Sequence, residues 1–305
     1  MDDAARPNVD TILRPDFAVD PLLTLSALRL GPLDPQTRIV DGTFMRATWT
    51  PAGPASFRLT VAAGGIRVQA WGDGAAAIVA ELPSMLGAAD RPADLGVHHP
   101  LVAELAERFH GLRMTRTNRV METLVPTIIA QKVTGLEAWR AYRDLLARHG
   151  ERAPGPLGLC LPPRPEVLAG LPYFAYHRLG LERRRADAIR HAAAVARQLE
   201  GAAQLVPDQA RRRLLSLSGV GPWTAAETLR VAMGDPDAVS VGDYNLPALV
   251  CYALAGERKG SDEQMLELLA PYAGQRGRVV RLIELSGLRP ARRGPRLAPR
   301  SVAAM

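Results

Sequence analysis

Residues 217–230, LSGVGPWTAAETLR, place two glycines and a proline between two stretches of helical apolar spacing. Pro222 suits the first position of a helix, because the N–H that it lacks would have no partner there. Gly219 and Gly221 permit a tight turn and let another molecule approach the main chain without meeting a side chain. The free N–H groups and the positive dipole end of the second helix would attract an anion such as phosphate. Ordinary turns between helices also use glycine, so this segment alone leaves phosphate binding open.

A carboxylate follows this helical hairpin in a second segment, GDPDAVSVGDYNLPALV, at residues 234–250. Its glycines and prolines predict a loop that delivers Asp243 just before a helix beginning near Asn245. One interpretation is that Asp243 only caps that helix, a common use of aspartate. The other is that the loop presents an ionised carboxylate for chemistry.

Taken together, the hairpin, the Gly/Pro-rich loop and the aspartate resemble the helix-hairpin-helix base-excision DNA glycosylases. The hairpin matches the pattern Leu-x-Gly-x-Gly-x-x-Thr-Ala, and LVPTIIAQKVT at 124–134 is similar to the family's helix carrying Ile-x-x-Gln-x-Val-Ser/Thr. The segment LGLERRRADAIRHAA at 179–193 resembles a third family motif. The layout is similar to that of the bacterial 3-methyladenine DNA glycosylase II family over residues 22–288. The resemblance implies a mainly α fold, with a two-lobed helical domain after a small α+β domain.

The resemblance also implies a reaction, hydrolysis of the N-glycosidic bond of a damaged base flipped out of double-stranded DNA. Breaking this bond builds positive charge on C1′ and the sugar ring oxygen, so an ionised Asp243 would stabilise the transition state more than the ground state. Opposite charges about 4 Å apart attract by about 4 kcal/mol at an effective dielectric constant of about 20, on the order of a thousandfold in rate. The same carboxylate could orient or deprotonate the attacking water.

Trp223 stands where family members that nick the strand carry a Schiff-base lysine, two residues after the second hairpin glycine. The resemblance therefore implies a monofunctional enzyme without lyase activity. An indole face can stack on a flipped base and attract a cationic alkylpurine, such as 3-methyladenine or 7-methylguanine. Such a base is already charged and needs little help from a general acid. Packing of the hairpin against a neighbouring helix is the alternative role of Trp223.

Three positions depart from the family pattern in or near the expected base pocket. Glu227, one turn beyond Trp223, replaces an aromatic residue and either enters the pocket or is a solvated or salt-bridged helix residue. Gln275 stands where the resemblance implies tryptophan. Gln131 is assigned to the pocket, and Lys132 after it replaces the residue that wedges into the gap left by the flipped nucleotide. The charge of Lys132 suits a phosphate or a polar base edge better than stacking.

These departures keep two alternatives to alkylpurine excision open. A more polar pocket favours a glycosylase for deaminated or oxidised bases. A non-enzymatic DNA-binding module would also use the hairpin to hold phosphate. Asp243 argues against that last alternative, because an anion near DNA lowers affinity.

Phosphate contacts are assigned first to main-chain N–H groups of the hairpin, those of Gly219, Gly221 and Trp223. The hydroxyl of Thr224 is a further candidate donor. A run of arginines in the third motif either adds long-range attraction for DNA or is only a solvated helix face, and it comprises Arg183, Arg184 and Arg185.

No cofactor is required by this interpretation. The resemblance implies only a structural monovalent cation, sodium or potassium, bound at the hairpin by the main-chain carbonyls of Leu215, Leu217 and Val220. Residue types cannot test such a site, because its ligands are main-chain atoms. Cys160 and Cys251 are the only cysteines, too few for an iron–sulfur cluster bound by four thiolates.

The elements that must position these residues fall into two groups along the chain. Residues 44–71 alternate between apolar and polar types in three runs separated by glycine and proline, which predicts three antiparallel strands. A helical segment follows and would cover one face of the sheet. We therefore predict a small α+β domain at 22–95, preceded by a disordered or extended segment at 1–21.

Residues 96–288 lack strand signals and repeat apolar residues at helical spacing between glycine and proline boundaries, which predicts an all-α domain. The last segment, RPARRGPRLAPRSVAAM at 289–305, has no core pattern and is predicted to be a mobile basic tail.

The composition agrees with a nucleic-acid partner. Among 305 residues, 38 Lys and Arg oppose 31 Asp and Glu, for a net charge of +7 and a pI near 10.0. This charge favours a polyanion such as DNA, although a merely basic surface would give the same balance. No secretory leader or membrane segment is evident, so we expect a cytoplasmic, nucleoid-associated protein. One duplex and one pocket need no symmetry, so we expect a monomer.

Overall fold

The computed structural model describes residues 6–290, and its N-terminal part is a five-stranded antiparallel sheet. The strands are β1 (Val9–Leu13), β2 (Thr37–Val40), β3 (Thr43–Thr50), β4 (Gly53–Ala62) and β5 (Gly65–Trp71). Their spatial order is β1-β5-β4-β3-β2. Most of the predicted basic tail, residues 291–305, lies outside the described residues.

Strands β3, β4 and β5 are the three predicted from alternation, whereas β1 and β2 add two strands that were not predicted. Strand β1 lies inside segment 1–21, which was assigned outside the domain, and it pairs with β5 so that Val9 faces Ala70. Val9 and Leu13 pack against the core of the sheet. At 5 and 4 residues, β1 and β2 contain too few alternations for a sequence signal, and pairing with longer neighbours forms them. The α+β unit therefore begins before residue 22.

One face of the sheet is covered by α1 (Pro21–Leu25) and α2 (Ala75–Met85). Phe44 and Phe57 lie on this face with their ring centroids 6.0 Å apart. They are fully buried with Ile78 and Leu82 of α2. Burying an apolar side chain of this size contributes roughly 1.5–3 kcal/mol. The sheet, α1 and α2 thus form an apolar core, to which Val231 of the later helical part also contributes.

The remaining chain is helical, apart from the short pair β6 (Glu151–Arg152) and β7 (Cys160–Leu161). The helices are α3 (Pro100–Arg108), α4 (Val120–Ile129), α5 (Gly135–His149), α6 (Pro165–Gly170), α7 (Tyr173–His177), α8 (Arg183–Ala194), α9 (Ala196–Glu200), α10 (Pro207–Leu215), α11 (Pro222–Ala232), α12 (Leu246–Ala255), α13 (Asp262–Leu269) and α14 (Arg276–Ser286). They bury two apolar cores. The larger core contains α4 to α11, and the smaller contains α3 and α12 to α14. Two cores give the two helical lobes that were predicted.

Helix α4 joins the sheet to the larger lobe through a buried carboxylate. Glu122 accepts hydrogen bonds from Gln36 Nε2 and Arg46 Nη2, both at 3.0 Å, and from Thr48 Oγ1 at 2.7 Å. At the start of α4, the carboxylate of Glu200 accepts the free N–H groups of the first turn at 2.8 and 2.9 Å. Burial raises the pKa of Glu200 above its usual range, although these N–H groups oppose the shift. Glu122 therefore holds the first turn of α4 against the sheet, and Glu200 holds the same turn from within the helical part of the chain.

Within residues 6–290, no helix is long and apolar enough to cross a membrane.

Candidate active site

Helices α10 and α11 form the predicted hairpin. Its two glycines are needed for different physical reasons. Gly219 has a φ of +88°, and a Cβ there would lie 2.6 Å from the Cβ of Ala188 on α8. Gly221 is the N-cap of α11 with a φ of −103° and no side-chain cap. A Cβ at Gly221 would meet nothing within 4 Å. Gly219 is therefore required by internal packing, whereas Gly221 leaves the main chain open to an approaching molecule.

Gln131 braces this hairpin from the end of α4. Its Nε2 donates to the Gly219 carbonyl at 2.9 Å and to Thr224 Oγ1 at 2.8 Å. Thr224 is only 2% exposed. Two assignments are corrected by this contact, because the buried Thr224 hydroxyl cannot reach a phosphate and the Gln131 carboxamide is turned toward the hairpin instead of a base.

Lys132 follows Gln131 at the tip of the turn between α4 and α5. It is exposed and has a φ of +56°. The turn is closed on its other side by Thr134, which forms a capping box with Glu137 at the start of α5. Lys132 therefore projects into solvent from a turn that is tied to the hairpin.

Asp243 lies in the loop before α12, and three N–H donors hold its carboxylate. Oδ1 accepts the main-chain N–H groups of Asn245 at 2.8 Å and Leu246 at 2.9 Å. Oδ2 accepts the indole Nε1–H of Trp223 at 2.9 Å. The N-cap of α12 is Asn245 and not Asp243, but Oδ1 of Asp243 still accepts the first N–H groups of the helix, while Oδ2 faces the hairpin.

The Asp243 loop is supported from two further sides. The Asp243 N–H donates to the Ser240 carbonyl at 3.2 Å, and the Ser240 hydroxyl donates a short hydrogen bond to Glu227. The Gly242 N–H donates to the Asp262 carboxylate at 3.0 Å. These supports come from α11 and α13, so the loop is fixed from both lobes.

Glu227 is one of these supports and is not free to contact a base. Its carboxylate lies 2.7 Å from Arg230 Nη2, with side-chain exposures of 24% for Glu227 and 15% for Arg230. Burial alone would raise the pKa of Glu227, but the Arg230 guanidinium, the Ser240 hydrogen bond and the charge of Arg281 lower it below its usual range. The salt-bridged alternative for Glu227 is the one that the contacts support.

The main chain around Gln275 binds Asp237 of the Asp243 loop, but the Gln275 side chain has its partners elsewhere. It is 7% exposed, and its Oε1 accepts from Arg278 Nε at 2.7 Å. Arg278 in turn pairs with Asp90, and the Gln275 Nε2 faces the Arg91 carbonyl. The assignment of Gln275 to the base pocket is corrected, because its carboxamide packs α14 against the segment after α2.

The arginine run divides between surface and core. Arg183 and Arg184 are exposed at the start of α8, whereas Arg185 is 4% exposed. Arg185 Nη1 donates to the Ile129 carbonyl at 2.7 Å, which ties α8 to the end of α4. Only Arg183 and Arg184 remain candidates for attracting DNA.

The carbonyls assigned to a monovalent cation lie at the end of α10 and in the hairpin turn. Leu217 O accepts the Val220 N–H at 3.1 Å. Among the hydrogen bonds of residues 6–290, none is accepted by the carbonyls of Leu215 or Val220. The last carbonyls of any helix lack partners within it, so these oxygens are compatible with the cation site, which stays a prediction.

Sequence reasoning missed Tyr244, whose side chain is 87% exposed directly after Asp243. It also missed Ser240 and Asp262 as supports of the loop. An aromatic residue in a loop of glycines and prolines is a visible signal for Tyr244. The roles of Ser240 and Asp262 depend on tertiary contacts and leave no such signal.

Several known structures with a similar fold are DNA glycosylases. A 3-methyladenine DNA glycosylase from Archaeoglobus fulgidus is 20% identical, with a TM-score of 0.73 over 90% of this chain and 97% of its own. An 8-oxoguanine glycosylase/lyase from Clostridium acetobutylicum is 12% identical, with a TM-score of 0.71 over 90% of this chain and 95% of its own. The Schizosaccharomyces pombe 3-methyladenine DNA glycosylase, solved in complex with abasic DNA, is 17% identical, with a TM-score of 0.52 over 66% of this chain and 98% of its own.

No protein-family model matches the sequence, and no curated protein matches it. The similarity to these solved structures shows that the chain has the fold of the helix-hairpin-helix DNA glycosylases, as the motifs predicted.

Proposed function

We propose that this protein is a monofunctional DNA glycosylase that removes alkylated purines from double-stranded DNA. The observation that carries the proposal is the Asp243 carboxylate, held by three N–H donors beside a hairpin whose Gly221 main chain is open. DNA phosphate would lie against the N–H groups of Gly221 and Trp223, where the dipole of α11 is positive. Lys132, Arg183 and Arg184 would add contacts or attraction from the surrounding surface.

Asp243 would act as a fixed anion under the sugar. A carboxylate has about four lone-pair positions, and three are occupied by N–H donors, which leaves one on Oδ2. Hydrogen bonds to the ionised form favour that form and reduce its basicity. Stabilising positive charge on C1′ is therefore a better use of this group than taking a proton from water.

The proposed substrate class follows from what Asp243 lacks. Within residues 6–290, no histidine and no second carboxylate forms a hydrogen bond with Asp243 or with the Trp223 indole. A neutral damaged base gains from protonation as it leaves, whereas a cationic methylpurine leaves without it. The face of Trp223 would also attract a cationic base.

Absence of lyase activity is proposed from the residue at the Schiff-base position. Trp223 occupies that position, and the whole chain has only two lysines, Lys132 and Lys259. The indole nitrogen carries no free lone pair for attack on an abasic aldehyde. The product would therefore be an intact abasic site.

The test is base release from dimethyl-sulfate-treated duplex DNA, with the released bases identified by chromatography. Wild type is expected to free methylpurines, and Asp243→Asn to bind the same DNA while releasing on the order of a thousandfold less. Asp16→Asn, at an exposed carboxylate in the N-terminal segment, is the matched control and should retain full activity.

Defined duplexes with single deaminated or oxidised bases separate the alternatives in the same assay. Release from those duplexes alone would replace the alkylpurine proposal with the second substrate class. Binding without release from any duplex would leave a DNA-binding module. Strand cleavage after release would refute the absence of lyase activity, and light scattering that shows a stable dimer would refute the monomer.

A further inference from the structure

The indole N–H of Trp223 forms a hydrogen bond that is needed neither for stacking on a base nor for packing against a neighbouring helix. Its Nε1–H donates to Asp243 Oδ2 at 2.9 Å, from the first turn of α11. Helix α11 belongs to the larger apolar core and α12, which follows Asp243, to the smaller one. The hydrogen bond therefore links the two lobes at the carboxylate itself.

The two oxygens of Asp243 are held by different parts of the chain. Oδ1 is fixed by main-chain N–H groups at the start of α12, which any acceptor at this position would engage. Oδ2 has one donor, the Trp223 side chain. The direction in which the last free lone pair of Oδ2 points thus depends on the indole.

We propose that Trp223 is a positioning residue that orients Oδ2 of Asp243 toward the sugar. This role rests on the proposed function, because it serves the stabilisation of charge at C1′. A preoriented donor spares the carboxylate from reorganising as charge develops, which is the largest advantage of a folded site over water.

The chemistry of the donor explains why an indole suits this position. A lysine or arginine at the same distance would donate equally well, but its positive charge would offset the attraction of Asp243 for the developing cation. The indole N–H is neutral, so it fixes the carboxylate and leaves its full negative charge available. Its nitrogen is also not a nucleophile.

A double-mutant cycle tests this role with Trp223→Phe, Asp243→Asn and the combined variant. Phenylalanine keeps an aromatic face for stacking and removes the N–H. Loss of a hydrogen bond to a charged group predicts that Trp223→Phe slows single-turnover methylpurine release by about tenfold to a hundredfold. In the Asp243→Asn background, the same substitution should change the rate by less than about threefold, since the oriented charge is already gone.

Trp49→Phe is the matched control. Trp49 also donates its indole N–H, to the Pro162 carbonyl at 2.8 Å, but it lies in the N-terminal sheet. This variant should release methylpurines at the wild-type rate. Affinity of Trp223→Phe for uncleaved duplex should remain within about twofold of wild type, which a misfolded hairpin would not allow.

The outcomes separate the role of Trp223 from the proposed function. Equal rate losses in both backgrounds would overturn the positioning role, since Trp223 would then act by stacking alone, and so would an unchanged rate in Trp223→Phe. A wild-type protein that releases no base from any duplex refutes the proposed function first. In that case NMR of the indole N–H groups tests whether the contact forms in solution. If it does, Asp243→Asn should shift the Trp223 resonance and leave the Trp49 resonance unchanged. An unshifted resonance would overturn the contact as well.

Discussion

Replacing Glu227 with glutamine tests whether the loop that carries Asp243 depends on a buried charge. Glutamine keeps the shape of the side chain and an acceptor for the Ser240 hydroxyl. It removes the negative charge from a cluster in which Arg230 lies 2.7 Å from Glu227 and 3.7 Å from Glu284. Arg281 is also paired with Glu284, at 3.3 Å. One carboxylate would then face two guanidinium groups.

The magnitude follows from the exposure of the pair. Exposed ion pairs contribute about 0–1 kcal/mol, whereas breaking a fully buried pair costs about 3–5 kcal/mol. Glu227 and Arg230 are 24% and 15% exposed, and Glu284 remains as a partner. We therefore expect Glu227→Gln to lower the free energy of unfolding by about 2 kcal/mol, which corresponds to about 4 °C in Tm for a chain of this size.

The sign of the pH dependence is set by the lowered pKa of Glu227. A carboxylate whose folded pKa lies below its unfolded value contributes stability that is fully present above the unfolded pKa and is lost as the pH falls through the folded pKa. The Tm difference between wild type and Glu227→Gln should thus be complete near pH 7. It should shrink as the pH falls below the ordinary value of 4.5.

Calorimetry at neutral and acidic pH measures this difference. Glu104→Gln, at an exposed position of α3, is the matched control and should melt with the wild type. Glu227→Gln should also release methylpurines more slowly at unchanged DNA affinity, because the uncharged amide oxygen accepts the Ser240 hydroxyl more weakly, and Ser240 in turn accepts the Asp243 N–H. A variant with the Tm and the release rate of wild type would refute the assignment of Glu227 to the support of the loop.

Two further predictions concern the hairpin. Gln131→Leu should lower the free energy of unfolding by about 1–3 kcal/mol and weaken DNA binding, because the buried Thr224 hydroxyl loses its donor. Urea denaturation measures the first effect and fluorescence anisotropy the second. An unchanged denaturation midpoint would contradict the role of Gln131 in stabilising the hairpin. Gly219→Ala should destabilise the protein by more than about 1 kcal/mol, since its φ is +88° and Ala188 occupies the space. Gly221→Ala should instead leave the midpoint nearly unchanged and lower DNA affinity, and equal loss of stability in both alanine variants would refute the distinction between the two glycines.

The sequence predicted what depends on local pattern and spacing. Alternation over several residues identified β3, β4 and β5, and the glycines with Pro222 located the start of α11. The position of Asp243 before α12 followed from loop composition and resemblance. These features need no knowledge of which side chains meet.

Pairing between distant side chains could not be predicted in this way. Gln131 and Thr224 were assigned separately, to a base pocket and to a phosphate, and the structure joins them in one hydrogen bond. Gln275 was placed by its position in a motif, but its rotamer turns it toward Arg278. Arg185 differs from its exposed neighbours only by the helical phase of α8, which puts it against α4. Spacing along the chain gives the face of a helix, and the partner on that face comes from tertiary packing.

The N-terminal sheet is connected to the candidate site through two helices, α4 and α11, since Val231 of α11 also lies in the core of the sheet. Arg46 and Thr48 of β3 bind Glu122 in the first turn of α4, and Gln131 beyond the other end of α4 binds the hairpin. Trp223 and Glu227 of α11 then bind Asp243 and Ser240 in the loop before α12, which begins the second lobe. A carboxylate that must meet a sugar with fixed orientation needs both lobes held in register, since a displacement of about 1 Å can cost on the order of a hundredfold in rate. The sheet holds α4 through Glu122 and α11 through Val231, so this domain contributes to the position of both helices that approach the site.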